Sequence, residues 1–213
     1  MGVQKLETED IYEIIKDRII HLKYEPGQVL NEVDVASEFE ISRTPIRRVF
    51  QMLQNDKLIN IIPRYGAQVT PIDFREMKAI FEITRELDPF AAKLATERIT
   101  AEQIKELEEI ISRMNSYDIK KDYQEAIDYD EKFHRIIYLS CGNPWLSDIL
   151  TSLHYHTERL WHYVEQHFDT MDLFTDSLGK LLNAIKEKDH DKAEVHARQH
   201  IDEFVLKIKN ELF

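Results

Sequence analysis

A cluster of arginines lies where a helix is expected to begin, and this chemistry suits binding to DNA. Residues 41–70 contain five Lys or Arg residues against one acidic residue, a net charge of +4. Arginine can donate paired hydrogen bonds to guanine edges or to phosphate oxygens, and hydroxyls suit phosphate or thymine contacts. An amphipathic helix with solvated arginines is the simpler alternative. The polar positions expected to face outward are Ser42, Arg43, Thr44, Arg47 and Arg48.

A second pair of side chains has the spacing of metal ligands. Asp130 and His134 are four residues apart, so on a helix they lie on one face, where both can reach a cation. Taken alone, such a pair is more often a solvated or core-satisfied contact than a metal site.

The composition restricts the classes of protein that could carry these residues. The 213-residue chain has 5 Gly and 6 Pro, too few turn residues for a loop-rich or all-β protein. No apolar run reaches the ~18 residues of a membrane span, and we expect neither a signal peptide nor a membrane partner. The single cysteine, Cys141, predicts a cytoplasmic protein without an internal disulfide.

The charge and the apolar spacing divide the chain into two parts. Residues 1–71 have a net charge of −2 and residues 72–213 a net charge of −10. The first part shows three short helical patterns, the third beginning after Ser42 with Pro45 in its first turn, where proline is tolerated. Two β-rich stretches follow, joined by a turn with Arg64 and with Gly66 at its tip.

Three helices followed by a hairpin predict a winged helix-turn-helix DNA-binding domain over residues 1–71. In this arrangement the start of the third helix projects into the major groove, and Gly66 lets the backbone approach a sugar-phosphate strand closely. Residues 72–213 predict an all-α antiparallel helical bundle, because the breaks between its helices are short. Its expected helices cover residues 74–98, 101–117, 121–141, 144–168, 171–187 and 190–212.

The run from Ile41 to Val69 resembles the DNA-reading half of GntR-family transcription regulators. That family shows a pattern close to V-S-R-x-P-V-R-x-A-L-x-x-L, followed by a wing ending R-x-G-x-x-V. Three positions depart from the pattern: Glu40 and Lys57 stand where glycine is usual, and Arg48 replaces a common acidic residue. The resemblance implies DNA contacts from Ser42, Arg43, Thr44, Pro45, Arg47, Arg48, Arg64 and Gly66.

The second part resembles the all-helical FCD-type ligand-binding domain of the FadR-like subfamily. The resemblance implies that residues 72–213 bind an effector and form the dimer. The resemblance rests on three segments, which are ITRELDPFAAKLA from Ile83, DEKFHRIIYLSCGNPWL from Asp130 and LLNAIKEKDHDKAEVHARQHI from Leu181. Many members hold a divalent metal, so the resemblance implies Zn, Ni or Mn bound by Asp130, His134 and His200. The family's remaining ligand position falls on Leu178, which cannot bind metal, so the site is either weaker or lost. His196 is a substitute one turn before His200, and His154, His156 and His162 are recommended only by their abundance.

The resemblance also places Arg85 at a cavity-lining position, where its partner is either an organic-acid effector or an internal carboxylate. The leading hypothesis is therefore a ligand-responsive transcription regulator that binds a palindromic operator as a homodimer. Its effector is a small carboxylate, with a metal assisting. The alternatives are a metal-dependent all-α enzyme using Asp130, His134 and His200, and a helical adaptor that binds only proteins.

Overall fold

The computed structural model of the chain describes residues 6–118, 121–164 and 172–212. The chain forms two compact units, Met1–Asp73 and Phe74–Phe213. Within the described residues there are nine helices and one three-stranded sheet, which confirms the predicted mostly-α fold class. None of the described helices combines the length and the hydropathy needed to cross a bilayer.

The first unit consists of three helices and a small antiparallel sheet. The elements are α1 (Thr8–Ile20), β1 (Val29–Leu30), α2 (Glu32–Glu38), α3 (Arg43–Asn55), β2 (Ile59–Ile62) and β3 (Gly66–Val69). Asn31 caps α2 by accepting a hydrogen bond from the amide of Val33 at 2.7 Å. The core forms where the apolar stripes of α1 and α3 meet, and it includes Ile11, Ile15, Ile19, Ile46, Val49, Phe50 and Leu53.

The sheet has the strand order β1-β3-β2, with both pairings antiparallel. The hairpin of β2 and β3 is the predicted wing, with Asn60 opposite Gln68 and Ile62 opposite Gly66. The two-residue strand β1 is an addition that the sequence pattern does not reveal. It pairs Val29 with Gln68 and ties the wing to the start of α2.

The second unit is entirely helical in its described residues. Its elements are α4 (Phe74–Arg98), α5 (Ala101–Met114), α6 (Tyr123–Ser140), α7 (Pro144–Val164), α8 (Asp172–Lys186) and α9 (His190–Leu212). The ends that the sequence predicts at residues 165–168 and 171 lie outside the described residues. Helix α4 packs along α9 and also contacts α6 and α7, so these four helices surround a common interior.

Helix α4 continues through Pro89, which has no amide hydrogen to donate. The carbonyl that would accept this missing bond is four residues earlier, at Arg85. Arg198 on α9 donates from Nη1 to the Arg85 carbonyl at 2.9 Å and also to Glu86 Oε1 at 2.8 Å. A side chain of α9 therefore replaces one backbone hydrogen bond of α4.

Candidate nucleic-acid interface and metal centre

Helix α3 separates an apolar face from a cationic face. Ser42 is its N-cap residue, although the Ser42 side chain makes no capping hydrogen bond, and Pro45 is half-buried in the first turn. The buried residues of α3 hold it in the unit, so the polar residues between them must face outward. The exposed side chains are Arg43, Thr44, Arg47 and Arg48, and with Arg64 of the wing we call them the reading surface.

Only one arginine of the reading surface has an ion-pair partner among the described residues. Arg47 Nε donates to Glu32 Oε2 on α2 at 2.8 Å. Arg43, Arg48 and Arg64 make no ion pair with any residue that the structure describes. Three guanidinium groups are therefore left to solvent, as a polyanion-binding surface requires.

The wing places Arg64 and Gly66 in different environments. Arg64 is exposed in the turn, with φ of 71°. Gly66 is buried at the first position of β3, not at the exposed tip, and its φ is +133°. A Cβ there would lie 2.1 Å from the Leu30 carbonyl oxygen, so the protein's own β1 occupies the space that glycine leaves.

The two residues at the family's glycine positions have the backbone conformation that glycine favours. Glu40 has φ of 54° and Lys57 has φ of 59°. Residues other than glycine adopt this left-handed region at a cost of about 1–2 kcal/mol. Glu40 and Lys57 therefore both carry backbone strain that glycine would not have.

In the second unit, Asp130, His134 and His200 come together in the buried interior. Asp130 and His134 lie one turn apart on α6, with 3.7 Å between His134 Nε2 and Asp130 Oδ2. His200 on α9 places its Nε2 3.3 Å from His134 Nε2. On the opposite side of its ring, His200 Nδ1 lies 2.7 Å from Ser177 Oγ of α8, which orients the imidazole.

His154 of α7 is the additional member of this cluster. Asp130, His134 and His154 each offer a ligand atom, and these atoms all lie within 4.8 Å of one another. His154 Nε2 contacts Glu131 Oε2 at 2.7 Å, and His154 Nδ1 lies 3.3 Å from the Tyr138 hydroxyl. One signal for it exists in the sequence, because His154 continues the buried side of α7 between Leu150 and Trp161.

The substitute that the sequence favours for the missing ligand lies elsewhere. His196 is half-buried, and its Nδ1 is 3.0 Å from Gln199 Oε1, outside the cluster. His156 and His162 are not part of the group formed with Asp130 either. Leu178 is fully buried as an apolar residue. The structure therefore brings in a histidine from α7, not from α9.

Burial perturbs the acid–base properties of the cluster. It raises the pKa of Asp88 to about 6 and that of Asp130 to about 7. Burial and the neighbouring His154 lower the pKa of His134 well below its usual value and that of His200 to about 4. Burial alone would lower the pKa of His154, but the carboxylates of Glu131, Asp130 and Asp88 raise it to about 9.

Two buried carboxylate oxygens remain without a hydrogen bond in this cluster. Asp130 Oδ1 and Asp88 Oδ1 make none with any described residue. A buried carboxylate normally has several partners, so an oxygen without one indicates a place for a cation or water. Two neutral histidines and such a carboxylate are the donor set that divalent transition metals prefer.

A small cavity adjoins the cluster. The volume of this cavity that is open to a water-sized group is about 30 Å³, enough for an ion with one or two waters. Its lining combines the polar cluster with aromatic side chains, and no Lys or Arg is among the described lining residues. The lining residues are Phe81, Thr84, Asp88, Asp130, His134, His154, Thr157, Trp161, His200, Ile201 and Phe204.

Arg85 does not line this cavity, contrary to the position that the family resemblance implies. Its guanidinium forms a two-point contact with Asp202 on α9, with Nε–Oδ1 at 2.6 Å and Nη2–Oδ2 at 3.0 Å. The Arg85 side chain is 44% exposed. Of the two partners considered from the sequence, the structure therefore shows the internal carboxylate.

Comparisons with known proteins agree with this two-part organisation. Residues 79–203 match the sequence profile of the FCD domain, and residues 7–69 match that of the bacterial regulatory proteins of the gntR family. The chain is 25% identical over 198 residues to the HTH-type transcriptional repressor RspR of Escherichia coli, covering 92% of the chain and 86% of that protein. It is 28% identical over 229 residues to the galactonate operon transcriptional repressor of Escherichia coli, covering 95% and 97%.

The fold is also found in a solved structure. E. coli McbR/YncC superimposes with a TM-score of 0.83 at 20% identity, covering 100% of both chains. The similarity therefore includes both units of the fold.

Proposed function

The chain belongs to the GntR family of bacterial transcription regulators with an FCD domain, and from this we propose how it reads DNA and senses its ligand. It is a DNA-binding regulator, and because both families are regulatory the alternative of a metal-dependent enzyme is set aside. We propose that it acts in the cytoplasm as a homodimeric repressor on a palindromic operator. A small organic acid, bound with the help of a divalent metal, is the proposed effector.

The observation that carries the DNA-reading proposal is the reading surface. Arg43, Thr44, Arg47 and Arg48 lie exposed on one side of α3, while its other side is buried. In helix-turn-helix proteins the N-terminal part of such a helix enters the major groove. Arg64 extends from the wing, where it is suited to an adjacent phosphate or minor groove.

The homodimer follows from the size of this surface. One helix and one wing contact only a few base pairs, too few to define a unique site in a genome. Two copies related by a twofold axis read an inverted repeat, which doubles the contacts. The name of RspR, a transcriptional repressor, supports repression as the outcome.

We propose that Asp130, His134 and His200 hold a divalent metal, with His154 as the fourth donor in place of the absent family ligand at Leu178. The 3.7 Å between Asp130 and His134 and the 3.3 Å between His134 and His200 fit neighbouring donors around one ion, since bonds of about 2.0–2.2 Å place such donors about 3 Å apart. The ligand atoms that all lie within 4.8 Å of one another belong to Asp130, His134 and His154, so His200 is the outermost of the four proposed donors. His154 contacts Glu131 through Nε2 and the Tyr138 hydroxyl through Nδ1, so one of these two contacts must be exchanged when His154 binds the ion. Zn, Ni and Mn all accept this mixed nitrogen and oxygen set.

The metal proposal leads to the effector proposal. The cavity is lined by two buried carboxylates, Asp88 and Asp130, and by no described Lys or Arg. His154, whose pKa is raised to about 9, is protonated there but already contacts the carboxylate of Glu131, so an anion alone would still meet an excess of negative charge. A bound divalent cation supplies the positive charge that a carboxylate requires. The galactonate operon repressor among the relatives supports a sugar acid as the chemical class.

The size of the cavity suggests how the effector acts. Room for an ion and one or two waters is too little for a sugar acid, so the helices around it must move apart when the effector binds. A ligand that binds only the expanded state shifts the population toward that state. We propose that this shift changes the affinity for the operator.

The DNA-reading proposal is tested by selecting genomic fragments with the purified chain at two salt concentrations. We expect an inverted repeat that is bound less tightly at higher salt. Arg47→Ala abolishes this binding while the unfolding temperature stays within about 2 °C, because Arg47 is 59% exposed. Arg135→Ala is the matched control, since Arg135 is an exposed arginine of α6 in the second unit. Unchanged affinity in Arg47→Ala would exclude this docking of α3.

The metal proposal is tested by titrating chelator-treated protein with Zn²⁺, Ni²⁺ and Mn²⁺ in a calorimeter. We expect one ion per chain and a loss of at least about 100-fold in affinity for Asp130→Asn or His134→Ala. His196→Ala is the control and keeps the wild-type affinity, because His196 lies outside the cluster. D-galactonate is then added with and without the preferred metal. Equal binding in both conditions would contradict a metal-assisted effector.

A further inference from the structure

Glu32 and Arg47 form a contact that singles out one arginine of the reading surface. Arg47 is held by Glu32, whereas Arg43, Arg48 and Arg64 have no ion-pair partner among the described residues. Glu32 is the first residue of α2, the helix that packs against α3. The fold therefore holds the guanidinium of Arg47 in place before DNA binds, whereas the other three can adjust their conformation to the DNA.

The atoms used in this contact determine which atoms remain available. The carboxylate of Glu32 takes the Nε–H of Arg47, which leaves the terminal nitrogens Nη1 and Nη2 without a hydrogen bond to any described residue. These two nitrogens form a parallel pair of donors at the end of a planar group. Such a pair matches the O6 and N7 acceptors of guanine in the major groove.

The exposures of the two side chains assign their roles. Glu32 is 23% exposed and Arg47 is 59% exposed, so the carboxylate is the sheltered support and the guanidinium faces outward. An arginine already held in its binding geometry loses less rotamer entropy when DNA binds. The negative charge of Glu32 also disfavours unspecific contact with phosphates.

We propose that Glu32 is a positioning residue that presents Arg47 end-on to one guanine of each operator half-site. This inference rests on the proposed reading of DNA by α3, and it adds a specificity residue that does not itself contact DNA. Arg47 then provides sequence discrimination. Arg43, Arg48 and Arg64 provide affinity through phosphates.

The test compares Glu32→Gln with Asp34→Asn in the full chain. Asp34 lies in the same first turn of α2, is exposed and has no ion pair among the described residues, so both variants remove one negative charge from the same place. The probes are the duplex that the wild-type protein selects from a random library, its single base-pair substitutions and a scrambled duplex. Equilibrium affinities are measured by fluorescence anisotropy.

We expect both variants to bind the scrambled duplex equally, and slightly more tightly than the wild type does. Glu32→Gln, unlike Asp34→Asn, lowers the preference for guanine by about 5- to 10-fold at one base pair. Arg47→Lys loses its discrimination at that same base pair. The double variant loses no more than Arg47→Lys alone, because both changes remove one coupled contact. Unfolding temperatures of all the variants stay close to that of the wild type.

Two results would overturn the inference while leaving the proposed function intact. In the first, Glu32→Gln behaves like Asp34→Asn at every base pair. In the second, its preference falls equally at all positions, which indicates a general distortion of the domain. If the wild-type protein selects no sequence at all, the proposed function itself fails, and that result is visible before any variant is made.

Discussion

Replacing Gly66 by alanine tests why the wing requires glycine. Gly66 has φ of +133°, and an added Cβ would lie 2.1 Å from the Leu30 carbonyl oxygen and 3.1 Å from Asn31 Cα. Gly27 is a matched control, because its φ is +84° but no heavy atom lies within 4 Å of the position of its Cβ. The two substitutions therefore share backbone strain and differ in the overlap.

The structure allows both costs to be estimated. For Gly27→Ala, about 1–2 kcal/mol of backbone strain is partly offset by about 0.4–1 kcal/mol of reduced freedom in the unfolded chain, a net loss of about 1 kcal/mol. For Gly66→Ala the overlap is relieved only if β1 separates from β3, which breaks the pairings that Val29 and Leu30 make. We expect a loss of at least about 3 kcal/mol, and in a unit of this size that lowers the unfolding midpoint by about 12–24 °C.

The assay is urea and thermal unfolding of the full chain by circular dichroism, combined with anisotropy measurements on the selected duplex. Gly66→Ala loses both stability of the first unit and DNA affinity, whereas Gly27→Ala keeps its DNA affinity. A difference of less than about 1 kcal/mol between the variants would refute the overlap argument. If Gly66→Ala is as stable as Gly27→Ala and yet fails to bind DNA, the glycine is needed for approach of a sugar-phosphate strand.

Three further predictions follow from the described geometry. Glu40→Gly and Lys57→Gly each raise the free energy of unfolding by about 0.5–1 kcal/mol, because both residues have positive φ; denaturant melts that show a decrease would contradict this. Zn²⁺ affinity, measured against a competing chelator, falls about tenfold per pH unit from pH 9 to 7 as His154 gains its proton. Below pH 7 the Zn²⁺ affinity falls about a hundredfold per pH unit, because Asp130 is then protonated as well as His154. An affinity that does not change between pH 7 and 9 would show that His154 is not a ligand. Arg85→Ala leaves D-galactonate binding to the metal-loaded protein unchanged in calorimetry, and a large loss would return Arg85 to the effector site.

Features that depend on neighbouring residues could be predicted from the sequence. The predicted helix over residues 74–98 is α4 at both ends, and Ser42 precedes α3 as expected. These boundaries depend on capping, proline and apolar spacing within a few residues. The convergence of Asp130 with His134 is similarly local, because one turn of α6 brings them together.

Features that depend on distant parts of the chain could not be predicted in this way. Strand β1 has two residues and exists because β3, nearly forty residues later, pairs with it. His154 enters the buried cluster because α7 packs beside α6. The spacing within α7 places His154 on the buried side, but it places His162 there too, so it does not show which histidine meets Asp130. The partner of Arg85 is Asp202, 117 residues away, so the choice between effector and internal carboxylate required the packing of α4 on α9.

The contact between Arg198 and the Arg85 carbonyl has a consequence for the order in which the chain folds. These residues are 113 positions apart, so α4 cannot complete its hydrogen bonding around Pro89 until the ribosome has synthesised α9. The pairings of the first unit, by contrast, close within 73 residues. Since distant contacts form slowly and domains fold during synthesis from the N-terminus, the DNA-reading unit matures first and the sensing unit afterwards. A newly made chain would therefore pass through a stage in which its helix-turn-helix unit is folded but its second unit can neither pair with another copy nor respond to a ligand.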